Sequence, residues 1–260
     1  MKKVSVLFFS LILCISFNTA QAQTAEEIVN NYIEALGGEK ALSAITSIVY
    51  NCSAKAQGMD IPIVMYQKAP GLQRMDMTFQ GKTITQMSFD GTEGWGTNFM
   101  TMEAEKWDAQ QSEMMKAESE FLDPFLGWKE KGYTLSLEGE EEVEGTACYK
   151  VKLTKKPVTI DGKEEENFSY CFFEKESFAL LMQRSFEKMG EAKGQASETY
   201  FGDYEEVEGA DVIMARSISQ KMNGMTVFAL TIDNIELNKE LENSFFAFPA
   251  PAVDAAGDKK

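Results

Sequence analysis

Two runs of acidic residues are the first candidates for chemistry in this chain. Residues 138–144 hold five glutamates, and residues 203–206 read Asp-Tyr-Glu-Glu. Carboxylate oxygens bind Ca²⁺, but neither run has the full ligand spacing of a calcium-binding loop. Both runs also lie where turns are expected, so we interpret them as solvated turns and predict no metal site.

The composition argues against an enzyme. The chain has no histidine, which removes the commonest general base and every Ser-His or Cys-His nucleophilic site. No phosphate-binding loop or dinucleotide fingerprint is present. A hydrolase built on two carboxylates is a distant alternative, because 41 acidic residues make chance pairs common. The sequence therefore predicts no catalytic residues and no cofactor.

Methionine is unusually abundant, with fifteen in 260 residues. Many fall on alternate positions of predicted strands, so that they share a face. Methionine is flexible and polarizable, and with aromatic residues it can line a cavity for a ligand of variable shape. An ordinary core that uses Met in place of Leu would give the same pattern. The candidate lining residues are Met65, Met75, Met77, Phe79, Met87, Phe89, Trp95 and Phe99.

The N-terminus is typical of a cleaved signal peptide. Lys2 and Lys3 precede an apolar run over residues 4–17, and residues 20–22 read Ala-Gln-Ala. The run is shorter than the roughly 20 residues of a membrane span. We predict cleavage after Ala22 and a periplasmic protein. Lipidation at Cys14 is disfavoured because Leu13 precedes it, where a lipid-attachment site has a small residue.

The charge limits the partners. The formal net charge of −16 repels nucleic-acid phosphates and anionic lipid headgroups, so we predict no nucleic acid partner. Cys52, Cys148 and Cys171 follow the signal peptide. An odd count does not indicate a disulfide framework, although a Cys148–Cys171 bridge between adjacent strands stays open.

The periodicity predicts mostly strands. One amphipathic helix covers residues 23–38, with Thr24 as its N-cap and Glu27 three residues later. From residue 47 the period becomes two, broken at intervals by Gly-containing turns. Residues 103–121 again favour helix. We predict one domain over residues 23–248, a large antiparallel sheet with helices on one face, and a disordered tail over residues 249–260.

An ordered set of short motifs resembles the periplasmic lipoprotein-carrier (LolA-like) superfamily, of the outer membrane lipoprotein-sorting type. The motifs lie at residues 25–38, 66–70, 89–95, 145–151, 200–204 and 244–249. The resemblance implies an unclosed, curved half barrel of about 10–11 strands, mostly β (α+β), with helices on its concave face over an apolar cavity. Residues 103–128 would form a helical lid, carrying Trp107, Met114, Met115, Phe121 and Phe125.

The resemblance also implies partners: a lipid or an acylated lipoprotein, with a membrane protein as donor or acceptor, and a monomeric state. One position departs from the carriers, which have an arginine before the proline of the residue 66–70 motif that helps to open and close the lid. Here that position is Ala69, beside Lys68, and strand parity puts Arg74 on the more polar face. The competing hypothesis is a structural or sensor protein with the same fold and a filled core.

Overall fold

The computed structural model describes residues 23–56 and 59–250. The predicted signal peptide, Cys14 and most of the predicted disordered tail lie outside the described residues.

Three α-helices lie within the described residues: α1 (Ala25–Ala35), α2 (Glu39–Ser43) and α3 (Ala109–Glu118). The capping box predicted for α1 is confirmed, because the Thr24 hydroxyl accepts from the Glu27 amide and the Glu27 carboxylate accepts from the Thr24 amide. The buried stripe of α1 comprises Ala25, Ile28, Val29, Tyr32 and Ile33. A short 3₁₀ helix, Asn243–Phe245, lies near the C-terminus.

Fifteen strands account for most of the remainder. They are β1 (Ser47–Ala56), β2 (Met59–Lys68), β3 (Leu72–Phe79), β4 (Lys82–Phe89), β5 (Gly94–Asn98), β6 (Glu103–Lys106), β7 (Thr134–Val143), β8 (Thr146–Thr154), β9 (Val158–Ile160), β10 (Lys163–Glu165), β11 (Phe168–Glu174), β12 (Leu180–Phe186), β13 (Ala196–Glu206), β14 (Ile213–Met222) and β15 (Met225–Leu237).

Thirteen of these strands form one open antiparallel sheet in the order β6-β5-β4-β3-β2-β1-β15-β14-β13-β12-β11-β8-β7. The predicted curved, unclosed sheet is confirmed, with two or three strands more than expected. The hairpin of β9 and β10 stands apart from it. We call the face that carries α1 the concave face and the other the convex face.

The predicted helix over residues 103–121 is only partly present. Residues Glu103–Lys106 form the edge strand β6, which pairs with β5, and the helix α3 begins at Ala109. Ala, Glu and Lys favour helix, but hydrogen bonds to an open sheet edge outweigh that small preference. Turns follow α3 up to Gly132.

The main core lies between α1 and the concave face. Ile28 and Val29 are fully buried against a floor of strand residues. Tyr32 packs its ring on Phe125 and Phe173, with ring centroids 5.9 and 5.2 Å apart. The floor comprises Ile48, Cys52, Ile63, Val151, Leu153, Cys171, Leu230 and Ile232.

The three cysteines of the described residues, Cys52, Cys148 and Cys171, are free. Cys171 lies in the main core, whereas Cys148 packs with Phe172 and Met182 in a separate cluster. Cys171 pairs with Val151 across β11 and β8, and Cys148 pairs with Glu174. The bridge that the sequence left open is therefore absent, because the two thiols project from opposite faces of the sheet.

The C-terminal segment, residues 239–248, covers the convex face of β1–β5. The Ser88 hydroxyl and the Trp95 indole N–H both donate to the Phe246 carbonyl, at 2.8 and 2.9 Å. The Lys68 ammonium donates to the Leu241 carbonyl. Phe246 is fully buried, so this segment belongs to the folded structure rather than to a tail.

Arg74 is the centre of that attachment. Its guanidinium donates to the Phe245 carbonyl at 2.7 Å and to both carboxylate oxygens of Asp76, the closer at 2.9 Å. It also stacks over the Phe245 ring, 4.3 Å from its centroid. Asp76 is buried, so the ion pair exists in a poorly solvated place where each partner depends on the other.

Asp123 ties the segment after α3 to α1. Its carboxylate accepts from the Tyr32 hydroxyl at 2.6 Å and from the Phe125 amide at 2.8 Å. Burial raises the pKa of Asp123 from 3.8 to about 6, although both hydrogen bonds oppose that rise. The folded protein therefore holds this proton more tightly than the unfolded chain does.

Replacing Arg74 with Ala should destabilise the protein by about 3 kcal/mol, because the Asp76 carboxylate is left buried without its partner. Urea unfolding followed by circular dichroism measures the change. Lys193→Ala, which removes an exposed ion pair to Glu165, is the matched control and should cost less than about 1 kcal/mol. Equal costs for the two variants would contradict the assigned role of Arg74.

Asp123→Asn should change how stability depends on pH. Because the folded pKa lies above the unfolded one, Asp123 contributes stability below about pH 4 and loses it as the pH rises through about 6. A pKa raised from 3.8 to about 6 corresponds to roughly 3 kcal/mol. The free energy of unfolding of Asp123→Asn, relative to the unmodified protein, should therefore rise by that amount between pH 4 and 7.

Tyr32→Phe sharpens that test. It removes a hydrogen bond that favours the ionised carboxylate, so the transition in stability should move to higher pH. If Asp123→Asn and the unmodified protein showed parallel pH profiles, the carboxylate would titrate alike in the folded and unfolded chains.

Candidate functional site

A cavity of about 250 Å³ lies on the concave face, beside α1 and over β12–β15. Its walls are mostly apolar, and residues 122–124 close one side. The lining residues are Tyr32, Leu36, Leu42, Tyr50, Leu122, Asp123, Pro124, Leu180, Gln183, Phe201, Tyr204, Ile213, Met214, Ala215, Ile218 and Ile232.

Two of the tyrosine hydroxyls at this cavity are hydrogen-bonded within the protein. The Tyr204 hydroxyl donates to the Leu180 carbonyl at 2.7 Å, and the Tyr32 hydroxyl donates to Asp123. Burial raises the pKa of Tyr32, Tyr50 and Tyr204 well above the ordinary value, so all three phenols stay neutral. The cavity therefore offers apolar contact, with Asp123 as the one titratable group that ionises near neutral pH.

The thiols nearby are unreactive. Burial raises the pKa of both Cys52 and Cys171 to about 12, so neither carries a useful fraction of thiolate. Among residues 23–56 and 59–250, no group of three or more His, Cys, Asp or Glu side chains is placed to hold a metal ion. Within the same residues no helix is long and apolar enough to cross a membrane.

The predicted methionines share one face. Met65, Met75 and Met87 follow one another across β2, β3 and β4, in register with Tyr50 of β1. The next row contains Met77, opposite Ile63 and Ile84. Met65, Met75 and Met77 pack against the edge of the main core and are only partly buried. We call this half-buried area of β2–β4 the methionine face; it lies beside the cavity rather than around it.

The aromatic candidates are dispersed. Phe89 is in register with Gln73 and Gly94 on the concave side and is fully buried. Trp95 pairs with Ser88 and lies on the convex face under the C-terminal segment. Phe79 is 38% exposed at the end of β3, and Phe99 is 56% exposed in the turn after β5. The sequence predicted that residues 95, 97 and 99 alternate along a strand and face the cavity. The strand is present, but Trp95 faces the convex side.

Helix α3 spans the space between distant parts of the sheet. At one end the Ser112 hydroxyl accepts from the Gly94 amide at 3.2 Å, and the Trp107 ring lies so close to Gly94 that a Cβ there would be 2.0 Å from it. At the other end Glu118 pairs with Lys188 at 3.1 Å, beyond β12. Helix α3 therefore bridges β5 and the β12–β13 connection, and it covers the concave face between them.

The predicted lid residues lie in two places, some at helix α3 and the others in or against the main core. Trp107, Met114 and Met115 line a cleft of about 330 Å³ that α3 forms with Phe186 and Met189. Phe125 is buried in the main core, and Phe121 packs partly buried against it. The helical part of the predicted lid is thus shorter than residues 103–128.

Sequence reasoning missed most of the cavity wall. Phe201, Tyr204, Ile218 and Ile232 lie on β13–β15, far along the chain from the methionines. Their signal was the alternation of large apolar residues in the second half of the chain. That alternation predicted strands, but it did not predict that β15 pairs with β1.

The chain matches no protein-family model and no curated protein. It does resemble solved structures. A DUF1329 family protein from Desulfovibrio piger is 14% identical, with a TM-score of 0.53 over 86% of this chain and 97% of that one. A LolA superfamily protein from Nitrosomonas europaea is 11% identical, with a TM-score of 0.53 over 87% and 98%.

A domain of the outer membrane lipoprotein-sorting type from Vibrio parahaemolyticus is 12% identical, with a TM-score of 0.51 over 85% of this chain and 94% of that one. Identities this low carry information on the fold alone. The chain has a LolA-like fold, as the motif resemblance predicted.

Proposed function

We propose that the protein binds lipids or the acyl chains of lipoproteins in the periplasm, without catalysing a reaction. The observation that carries the proposal is the apolar cavity beside α1 together with the adjoining methionine face, both beneath helices on the concave side. Each acyl methylene removed from water contributes about 0.8 kcal/mol.

The size of the cavity suggests how a chain would lie. At about 250 Å³ it is smaller than the roughly 300–1,000 Å³ of ordinary small-molecule sites. A short acyl segment would occupy the cavity, and the rest would extend along the methionine face toward α3. Methionine suits that second part, because its unbranched side chain repacks around ligands of different shape.

The chemistry of the cavity supports a binding role. Its tyrosines are neutral, the nearby thiols are protonated, and the Asp123 carboxylate is already engaged by Tyr32 and a backbone amide. None of these groups has the partner that would activate it as a nucleophile or base.

The sheet edges support a monomer. Edge strand β6 has only four residues and three charges, and edge strand β7 carries four glutamates and a register shift between Leu137 and Glu140. Short, charged or bulged edges resist pairing with another sheet.

Lys68 and Arg74 are the cations that flank Ala69, the position where the resembled carriers have an arginine. Both side chains are turned to the convex face, where they hold the C-terminal segment. Neither can replace, on the lid side, the arginine of the resembled carriers. We therefore propose that the protein binds lipids or acyl chains. We do not propose that it transfers them between a membrane-protein donor and an acceptor.

Ile218→Trp tests the cavity. The larger ring should fill it and weaken the binding of a fluorescent fatty acid by at least about tenfold, which is 1.4 kcal/mol. Ser219→Trp, on the same strand but facing the other way, is the matched control and should bind like the unmodified protein. Titration followed by fluorescence measures both, and circular dichroism checks their folding.

Met77→Asp and Thr78→Asp form a second pair, for the methionine face. Only Met77→Asp places a charge on the concave side, so only Met77→Asp should weaken binding of the fluorescent fatty acid. An unmodified protein that neither binds the probe nor carries lipid by native mass spectrometry would contradict the proposed function and favour a filled-core interaction protein.

A further inference from the structure

Exposed large apolar side chains are concentrated at one end of the sheet. Among residues 23–55 and 60–250, seven such side chains are exposed, and six lie in or near three hairpin turns. Met100 is 95% exposed and Met225 is 69% exposed. We call this set the apolar rim: Phe79, Phe99, Met100, Met102, Met225 and Val227.

The topology places the three turns at the same end of the sheet. They connect β3 to β4, β5 to β6 and β14 to β15. In the antiparallel order β6-β5-β4-β3-β2-β1-β15-β14, strands β3, β5 and β14 run in the same direction and end at the same edge. The cleft beneath α3 contains Met189 from the β12–β13 connection, which lies at this end as well. The C-terminal end of α3, where Glu118 pairs with Lys188 of that connection, therefore lies at the rim end, whereas the first turn of α3 meets Gly94 at the start of β5.

The turns are tight and their backbones are hydrogen-bonded. Gln80-Gly81 and Asn223-Gly224 all have positive φ, as in two-residue hairpin turns that match the twist of the strands. In the third turn the Asn98 side chain accepts from the Met100 amide at 2.9 Å, and the Asn98 carbonyl accepts from Met102 at 2.7 Å. Apolar tips with satisfied backbone groups can enter a lipid interface without exposing unpaired amides to it.

The charge distribution separates the rim from the rest of the protein. Residues 79–82, 99–102 and 222–227 contain no acidic residue and one cation, Lys82, in a chain with 41 acidic residues. Carboxylates are costly at a lipid interface, whereas an amine beside the tip can meet a headgroup phosphate. The net charge of −16 opposes a bilayer rich in anionic lipid.

We propose that the apolar rim docks on the surface of a zwitterionic lipid bilayer, with the three hairpin tips inserted among the headgroups. Docked in this way, the protein turns the β12–β13 connection and the C-terminal end of α3 toward the membrane. The tips are separate projections rather than one smooth patch, a shape that a deformable lipid surface accommodates.

Flotation with vesicles of phosphatidylcholine and phosphatidylethanolamine tests the proposal on the chain from residue 23 to 260. The unmodified protein should float with the vesicles equally at low and high salt, because apolar insertion is not screened. The triple variant Phe99→Ser, Met100→Ser, Met102→Ser should lower the partition coefficient by at least about tenfold. Met225→Ser with Val227→Ser, at another tip, should lower it independently.

Leu137→Ser is the matched control. Leu137 is the seventh exposed apolar residue, with the same exposure as Phe79, but it lies on the edge strand β7. Its loss should leave flotation unchanged. The proposal is overturned if the unmodified protein stays with the unbound fraction, or if the rim variants float as well as Leu137→Ser. The rim variants should still bind the fluorescent fatty acid, so failure here is distinguishable from failure of the cavity proposal.

Discussion

An open sheet of thirteen strands has two faces to cover, and the rest of the structure follows from how each is covered. On the concave side the apolar stripe of α1 packs over the middle of the sheet, with Tyr32, Phe125 and Phe173 at its centre. Burial of these side chains is the main source of stability. The cavity remains where α1 and the segment after α3 do not reach the floor over β12–β15.

The convex side is covered in two different ways. Over β1–β5 the C-terminal segment supplies Phe246 and is held by Arg74, Ser88 and Trp95. Over β8 and β11–β13 cations lie over the aromatic rings, as with Arg184 4.9 Å from the Phe172 ring centroid. The two halves of the sheet therefore differ in how their convex face is covered.

Local signals in the sequence predicted local structure well. The Thr24–Glu27 capping box, the Asn223-Gly224 turn and the alternation of Met75 and Met77 all correspond to what the structure shows. Properties that depend on long-range pairing were not predictable in the same way. β6 has helix-forming residues but completes an edge, and the side on which Trp95 lies depends on a C-terminal segment about 150 residues away. The cavity wall was missed because β13–β15 reach the site only through the order of strands in the sheet.

Burial of the three thiols limits their exchange with other thiols and disulfides. Thiol–disulfide exchange proceeds through the thiolate, and burial holds the pKa of Cys52, Cys148 and Cys171 above the ordinary value. With Cys148 and Cys171 on opposite sides of the sheet, the native state neither forms a bridge between them nor presents a thiol for cross-linking to other chains. An odd number of cysteines among the described residues therefore carries little risk of mispairing once the core has closed.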